Sequence, residues 1–438
     1  MRVVSWLIAI AFAVLPAAAS AQNWVTAWTG AAQGPYPSGY ATVQPVLTFA
    51  FPAPEAGARD QSFRLIVRPD IIGPDARLRF SNAFGTRPVT LDAVSIGLQL
   101  SGAAVVPLTS TPVAFAGARH VTIAPGASVW SDPTPLPFAG AGLLEGRKLA
   151  VSFHVVGESG PMTWHAKALT TSYIAAPGTG AAPAEHEDEQ GFPFSTTSWY
   201  FLDALDMSAP PGTRTVVAFG DSITDGTAST LNGDDRWPDV LSRRLHAAYG
   251  ARIAVVNEGI GGNQVAGPAE YSAEKPSPGG PAAGQRLERD VLSLSGVGAV
   301  IWLEGINDFG TQANATAETV EAAMRAIVAR LRAGLPGARI IGATLTPALG
   351  STNPSHGSAA EDAKRRALND FIRTSGLFDG VVDFDAVTRD PATGQMRAEF
   401  VPNSTSGGPG DKLHPNRAGY QAMGAAIPLS MIVPGKGP

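Results

Sequence analysis

Apolar residues recur at every second position through the first half of the chain and gather into short unbroken runs in the second, so one sequence carries two periods. Phe63, Leu65 and Val67, then Val94, Ile96, Leu98 and Leu100, then Leu149, Val151, Phe153 and Val155 alternate with polar neighbours such as Arg64, Ser95, Gln99 and Ser152. Period two predicts strands with one face buried and the other in water. Turn signals at Pro69-Asp70, Gly73-Pro74-Asp75 and Pro125-Gly126 interrupt the runs at short intervals, as in an antiparallel β-sandwich. That unit is expected to span residues 22–207. Its closing strand is placed at Trp199-Tyr200-Phe201, after a loop at 177–190 rich in Ala, Gly and acids.

The paired prolines of 208–212 predict a stiff connection to a second unit, residues 208–438. Short apolar runs at 216–219, 253–256, 300–303, 340–343 and 381–384 read as fully buried parallel strands. Helical periods lie between them. Val320, Met324, Ile327, Val328 and Leu331 share one face while Arg325, Arg330 and Arg332 occupy another, and a further helix is expected at 237–249. Strand and helix in alternation predict a doubly wound, flavodoxin-like α/β layer with a parallel sheet.

The chain's 438 residues exceed what one hydrophobic core usually serves, which agrees with two units. Only 16% of residues are charged, while 49 Gly and 36 Pro favour turns over long solvated helices. Cysteine is absent, which removes disulfides, thiol catalysis and Cys-based zinc sites. The first 21 residues hold one basic residue, Arg2, an apolar stretch from Val3 to Leu15 and the small-residue pattern Ala19-Ser20-Ala21. They read as a secretory signal cleaved before Gln22 and are too short for a stable membrane span, so a secreted or periplasmic protein is expected. Losing Arg2 takes the formal charge from −5 to −6, spread without basic clusters, and no nucleic-acid partner is expected. The sequence specifies no oligomeric state.

Candidate chemistry lies in the second half. The run ending Phe219-Gly220-Asp221-Ser222 leaves a hydroxyl at the carboxyl end of a predicted strand, where open parallel sheets present ligands. Asp411-Lys412-Leu413-His414 supplies a carboxylate and an imidazole three positions apart. Together they have the makings of a serine esterase: a nucleophile, a base and a group that orients the base. Each piece alone has a plainer reading. Asp221-Ser222 can cap a helix, an Asp-x-x-His string can be a surface turn, and Asn307-Asp308 can cap the helix that follows. Thr224 stands where the second glycine of a GxSxG elbow would be, which disfavours the common α/β-hydrolase fold.

Four strings, GDSITDG (220–226), VNEGIGGN (256–263), LEGIND (303–308) and DKLHPN (411–416), resemble in order and placement the four blocks of the SGNH, or GDSL, hydrolases. RWPDVL (236–241) and LHPNRAGY (413–420) are similar to the arylesterase or acylhydrolase branch first noted beside rumen xylanases, and RLRFSNAFG (77–85) extends the likeness into the first half. The resemblance implies that Ser222 attacks an ester carbonyl, His414 serves as base and then acid, and Asp411 orients it. It also implies an oxyanion hole made of the Ser222 and Gly262 backbone N–H groups and the Asn307 side-chain amide. Gly261 takes the place of Gly262 if the register slips by one. No metal or organic cofactor is implied.

Asp221, Asp225 and Asp308 are expected to be structural. His356 is expected in a solvated loop, with a place in the cleft as the alternative. His246 falls in a predicted helix, and His120, His154, His165 and His186 lack metal-ligand spacing. Residues 268–284 and 403–410 are either cleft walls or surface insertions. Trp164, Trp199 and Tyr200 suit a core better than a sugar-stacking surface. The expected function is an exported serine carboxylester hydrolase acting on short acyl or aryl esters, including acetylated polysaccharide. Two alternatives stand beside it: a secreted carbohydrate-binding protein with an inactive hydrolase half, and an acyltransferase using the same acyl-enzyme.

Overall fold

The computed structural model describes residues 22–140 and 144–433. The expected signal segment, residues 1–21, lies outside them. In the second half five parallel strands lie in the spatial order Ile253–Gly259, Arg214–Gly220, Val297–Leu303, Arg339–Ala343, Gly380–Val382. The first strand in sequence thus sits second in space, the flavodoxin-like order. Val216, Val217, Ala218 and Phe219 are all buried, because helices cover both faces of the sheet. The helix Ala317–Gly334 starts where Thr316 accepts from the Thr319 N–H, and it buries Val320, Met324, Ile327, Val328 and Leu331. The last strand is shorter than its apolar run suggests. Asp383 accepts from the Ala386 N–H and caps a helix at Phe384–Thr388, so Phe384 packs from a helix and not from a strand.

The first half is antiparallel throughout. One sheet runs Trp24–Thr29, Leu202–Ser208, Asp75–Ser81, Ser128–Trp130; a larger one is built on Arg59–Val67, Leu149–Glu158 and Val89–Ser101. Phe63, Leu65, Phe80, Ile96, Val151, Phe153 and Leu205 share one core. Phe63 stacks on Phe153 with centroids 5.2 Å apart, and Phe80 meets Phe153 edge-on at 5.2 Å. Such pairs add about 0.5–1.5 kcal/mol each beyond their buried area.

Two expectations change here. The polar face of the larger sheet is not solvated: Arg64 and Ser152 are buried beneath the segment that includes the helix Ala182–Glu185. The Arg64 guanidinium holds that cover down by donating to Ser152 Oγ at 2.8 Å and to the Ala103 and Asp188 carbonyls at 2.7 Å. The closing strand is Leu202–Ser208, and Trp199–Tyr200 instead pairs with Trp164–His165. Leu202–Ser208 escapes a hydropathy reading because its two acids are buried as partners: Asp203 with Arg79 at 2.7 Å, and Asp206 with Arg77 at 2.7 Å and with Thr26 Oγ1 at 2.7 Å.

The antiparallel sheet and the parallel sheet are in direct contact. Thr26 N–H donates to the Ser295 carbonyl at 3.0 Å, Thr215 Oγ1 to the Thr26 carbonyl at 2.9 Å and Thr29 Oγ1 to the Asn257 carbonyl at 3.0 Å. Buried polar backbone needs such partners, so the connection through Pro210-Pro211 is not a free tether. No helix among the described residues is long and apolar enough to cross a membrane.

Candidate active site

Strand Arg214–Gly220 ends on a glycine because a Cβ there would run into the Leu303 carbonyl and the Thr224 hydroxyl. Asp221 then accepts from the Ile223 N–H at 2.9 Å and caps the short helix Ser222–Asp225, which ends at Gly226 with φ +100°. Ser222 is thereby held at the helix start, 6% exposed. Its Oγ lies 2.9 Å from His414 Nε2, and His414 Nδ1 lies 2.6 Å from Asp411 Oδ2. Lys412 takes the left-handed conformation, φ +60°, and tightens the turn so that Asp411 Oδ1 accepts from both the Leu413 and His414 N–H groups at 3.0 and 2.9 Å. Burial raises the Asp411 pKa, but the His414 ring and these two donors outweigh it and leave the carboxyl well below the usual range. Asp411 is therefore a fixed anion behind the imidazole.

The turn after strand Ile253–Gly259 brings Gly261 and Gly262 to the same place. Gly261 donates its N–H to Asp225 Oδ2 at 2.9 Å. The N–H groups of Gly262 and Ser222 find no partner among the described residues. Of the two glycines, Gly262 is the one with a free donor. Its φ of +82° and the ring of Tyr40, which a Cβ would strike, both require glycine there. Asn307 follows Gly305, φ +132°, in a tight turn and donates from Nδ2 to the Asn263 carbonyl at 2.9 Å. One amide hydrogen remains for a ligand. Asp308 braces this turn by accepting from the Val265 and Ala266 N–H groups at 2.9 and 2.7 Å.

Arg286, fully buried, ties these motifs together. It donates to the Gly220 carbonyl at 2.8 Å, the Glu258 carbonyl at 2.8 Å, Asn263 Oδ1 at 2.7 Å and Asp290 at 3.0 Å. Behind Ser222, burial, reinforced by Glu304 and Asp308 and opposed by the Ile223 N–H, pushes the Asp221 carboxyl up to about 8. In the unfolded chain that group releases its proton near about pH 3.9. Its contribution to stability is therefore complete below about pH 4 and lost as the pH rises toward 8. Asp221→Asn keeps an acceptor for the cap and should shrink the fall in Tm between about pH 5 and about pH 8 relative to wild type. Calorimetry at the two pH values checks this, and an equal or steeper fall in the variant would contradict it.

Ser222, Gly262, Asn307 and His414 all face one cavity of about 450 Å³. Asp411 stands behind His414. Three further sequence readings are settled by position. His356 lines this cavity and is not a solvated loop residue. Its loop is folded back onto the Asp411 backbone, whose carbonyl accepts from Ser351 Oγ at 2.8 Å and the Thr352 N–H at 3.0 Å. Burial, opposed by Glu361 and aided by His414, holds the His356 ring below its ordinary pKa. Residues 268–284 do not line the cavity: Gly279 backs Gly262, and the Pro278 carbonyl accepts from Gln33 Nε2 at 2.9 Å. Segment 403–410 packs instead against the loop after the Ser222 helix, where the Ser404 N–H donates to the Ala228 carbonyl at 3.1 Å.

Trp164, Trp199 and Tyr200 are 3%, 5% and 0% exposed and present no face to a sugar. His246 sits in its helix beside Asp70, with Nε2 3.2 Å from Oδ2. Sequence reasoning missed the wall that the first half contributes, made of Tyr40, Ala41, Thr42 and Lys167. Only Lys167 carries a charge, and neither 40–42 nor 167 falls in a motif, so the period of the chain held no signal for them.

Residues 218–422 match the model of the GDSL-like lipase/acylhydrolase family. Among solved structures, a carbohydrate acetylesterase family member from Sinorhizobium meliloti is 20% identical, covering 50% of this chain and 97% of that one, with a TM-score of 0.38. The aryl esterase of M. smegmatis is 19% identical over 49% of this chain and 95% of that one, with a TM-score of 0.37. A lipase/acylhydrolase from Enterococcus faecalis is 22% identical over 49% and 93%, with a TM-score of 0.36. No curated protein matches the chain.

Proposed function

We propose, from the match of residues 218–422 to the GDSL-like lipase/acylhydrolase family model, that this chain is an exported carboxylic ester hydrolase acting through an acyl-enzyme on Ser222. The relay of 2.9 Å from Ser222 Oγ to His414 Nε2 and 2.6 Å from His414 Nδ1 to Asp411 Oδ2 carries that reading. Ser222 Oγ attacks the ester carbonyl as its proton passes to His414, and Asp411 stabilises the imidazolium. The tetrahedral oxyanion draws on the Ser222 and Gly262 N–H groups and the Asn307 amide. His414 then protonates the departing alcohol. Water, deprotonated by the same ring, releases the acid and restores Ser222.

The cavity supports a substrate class. A space of about 450 Å³ lined by Thr42, Gln264, Gln312, Asn353 and Ser355 suits a short acyl group on a polar alcohol better than a long lipid chain. Acetyl esters of carbohydrates and small aryl esters fit that description. Export rests on the leader pattern of residues 1–21. The antiparallel half, residues 22–207, acts as a β-sandwich unit that flanks the cleft of the hydrolase unit, residues 208–438.

A panel of chromogenic acyl esters and acetylated glycans tests this reading. Acetyl esters should be turned over fastest, with rates falling as the acyl chain lengthens. No turnover of any ester, together with glycan binding, would favour a carbohydrate-binding protein instead. Asn307→Ala should lower kcat by about 10²- to 10³-fold, the usual cost of one oxyanion donor. A loss of less than about tenfold at unchanged folding would remove Asn307 from the oxyanion hole.

A further inference from the structure

Aiming the Gly262 N–H is a problem the local sequence cannot solve alone. Two consecutive glycines have a wide choice of backbone angles, so the direction of that donor must be imposed from outside the turn. Asp225 imposes it on one side, because its Oδ2 accepts from the Gly261 N–H at 2.9 Å and so fixes the peptide next to the donor. Asp225 is itself held by the antiparallel half. His165 Nε2 lies 3.2 Å from Asp225 Oδ1, while its Nδ1 is anchored 2.8 Å from the Ala31 carbonyl and its ring stacks on Trp199 at 5.4 Å.

Lys167 Nζ lies 3.9 Å from Asp225 Oδ2 and 2.5 Å from Thr227 Oγ1. All three side chains are buried, Lys167 at 3% exposure. Burial raises the Asp225 pKa, but His165 and Lys167 overcome it and leave the carboxyl below its ordinary value. A carboxylate so placed keeps both its charge and its orientation. Tyr40, from the same half, packs against Gly262, where a Cβ would strike its ring.

We propose that Asp225, clamped by His165 and Lys167 from the antiparallel half, is the positioning residue that aims the Gly262 N–H at the oxyanion. The antiparallel half is then part of the catalytic machinery and more than a flank. This rests on the acyl-enzyme reading above, in which Gly262 is an oxyanion donor.

The test uses the full chain and the variants Asp225→Ala, Asp225→Asn, Lys167→Met and Lys167→Arg. kcat and KM are measured on a chromogenic acetate per titrated active site, alongside inhibition by an arylboronic acid. The boronic acid adds to Ser222 Oγ, forming a B–O bond while the serine proton passes to His414. The tetrahedral anion that results reports oxyanion stabilisation without turnover. Asp225→Ala should lower kcat and boronate affinity together by about 10²-fold, at a KM within about twofold of wild type.

Lys167→Met should show the same pattern at about tenfold, and Lys167→Arg should recover most of it. Asp225→Asn, which keeps an acceptor but not the charge, should fall between Asp225→Ala and wild type, and it supplies the reading together with Lys167→Met if Asp225→Ala does not fold. Wild-type kcat and boronate affinity in folded Asp225→Ala, or in both Asp225→Asn and Lys167→Met, would overturn the proposal. So would a loss confined to melting temperature and active fraction. Turnover surviving in Ser222→Ala would sink the acyl-enzyme reading itself, whereas an inactive Ser222→Ala beside a fully active Asp225→Ala would sink only the positioning role.

Discussion

Ser222→Ala is expected to cut turnover of a chromogenic acetate by about 10⁴-fold or more while leaving the melting temperature close to that of wild type. The size follows from chemistry: without Oγ no acyl-enzyme forms, and what remains is attack by water on a carbonyl held near the oxyanion donors. The small effect on stability follows from structure. Among the described residues the only hydrogen bond of Ser222 Oγ is the one to His414 Nε2, and the helix start is capped by Asp221 and not by Ser222. Steady-state rates on pure, folded variant check both halves, and residual turnover within about tenfold of wild type would contradict the first.

His414→Ala should lose about as much. Among the described residues no other base is hydrogen-bonded to Ser222 Oγ to take its proton, and the second histidine of the cavity, His356, makes no hydrogen bond to Ser222 or Asp411 through its ring. Because the two residues act as one unit, the double variant Ser222→Ala with His414→Ala should be hardly worse than either alone. Rates that multiply in the double variant would mean that the two side chains act independently. His414→Ala also leaves the depressed Asp411 carboxyl without the ring that lowers it, so its folded-state pKa should rise toward the ordinary value. That group then contributes less stability above its unfolded pKa, and the variant should unfold more readily at neutral pH than Ser222→Ala.

The parallel layer was legible because its strands are buried on both faces. Val216 to Phe219 and Val300 to Leu303 are unbroken apolar runs at 0–2% exposure, and nothing polar obscures them. The strand Leu202–Ser208 was not legible, because Asp203 and Asp206 are neutralised by arginines more than a hundred residues away in sequence. Hydropathy sees only the acids. Phe384 was misplaced because the cap at Asp383 decides between strand and helix after the apolar run has already begun.

The same contrast runs through the site. Ser222, Asp411, His414 and Asn307 sit in strings whose order carries the family likeness, so they could be named before their distances were known. Gly262 is preferred to Gly261 by the register of its block, and the structure adds that the N–H of Gly261 is engaged by Asp225. Tyr40 and Lys167 come from segments without period or motif, and what gives them a place is the packing of the antiparallel sheet against the parallel one. His356 resisted a sequence reading for a related reason: a loop looks solvated until its ties to the Asp411 carbonyl are seen.

The most direct measurement is acid-quench mass spectrometry of the wild-type protein during turnover of a chromogenic acetate, with peptide mapping. One acetyl group per chain should appear on the peptide that contains Ser222, at a rate matching the burst of released alcohol, and it should be absent from His414→Ala. Acetylation mapped to another residue, or full turnover with Ser222 never modified, would contradict an acyl-enzyme on Ser222.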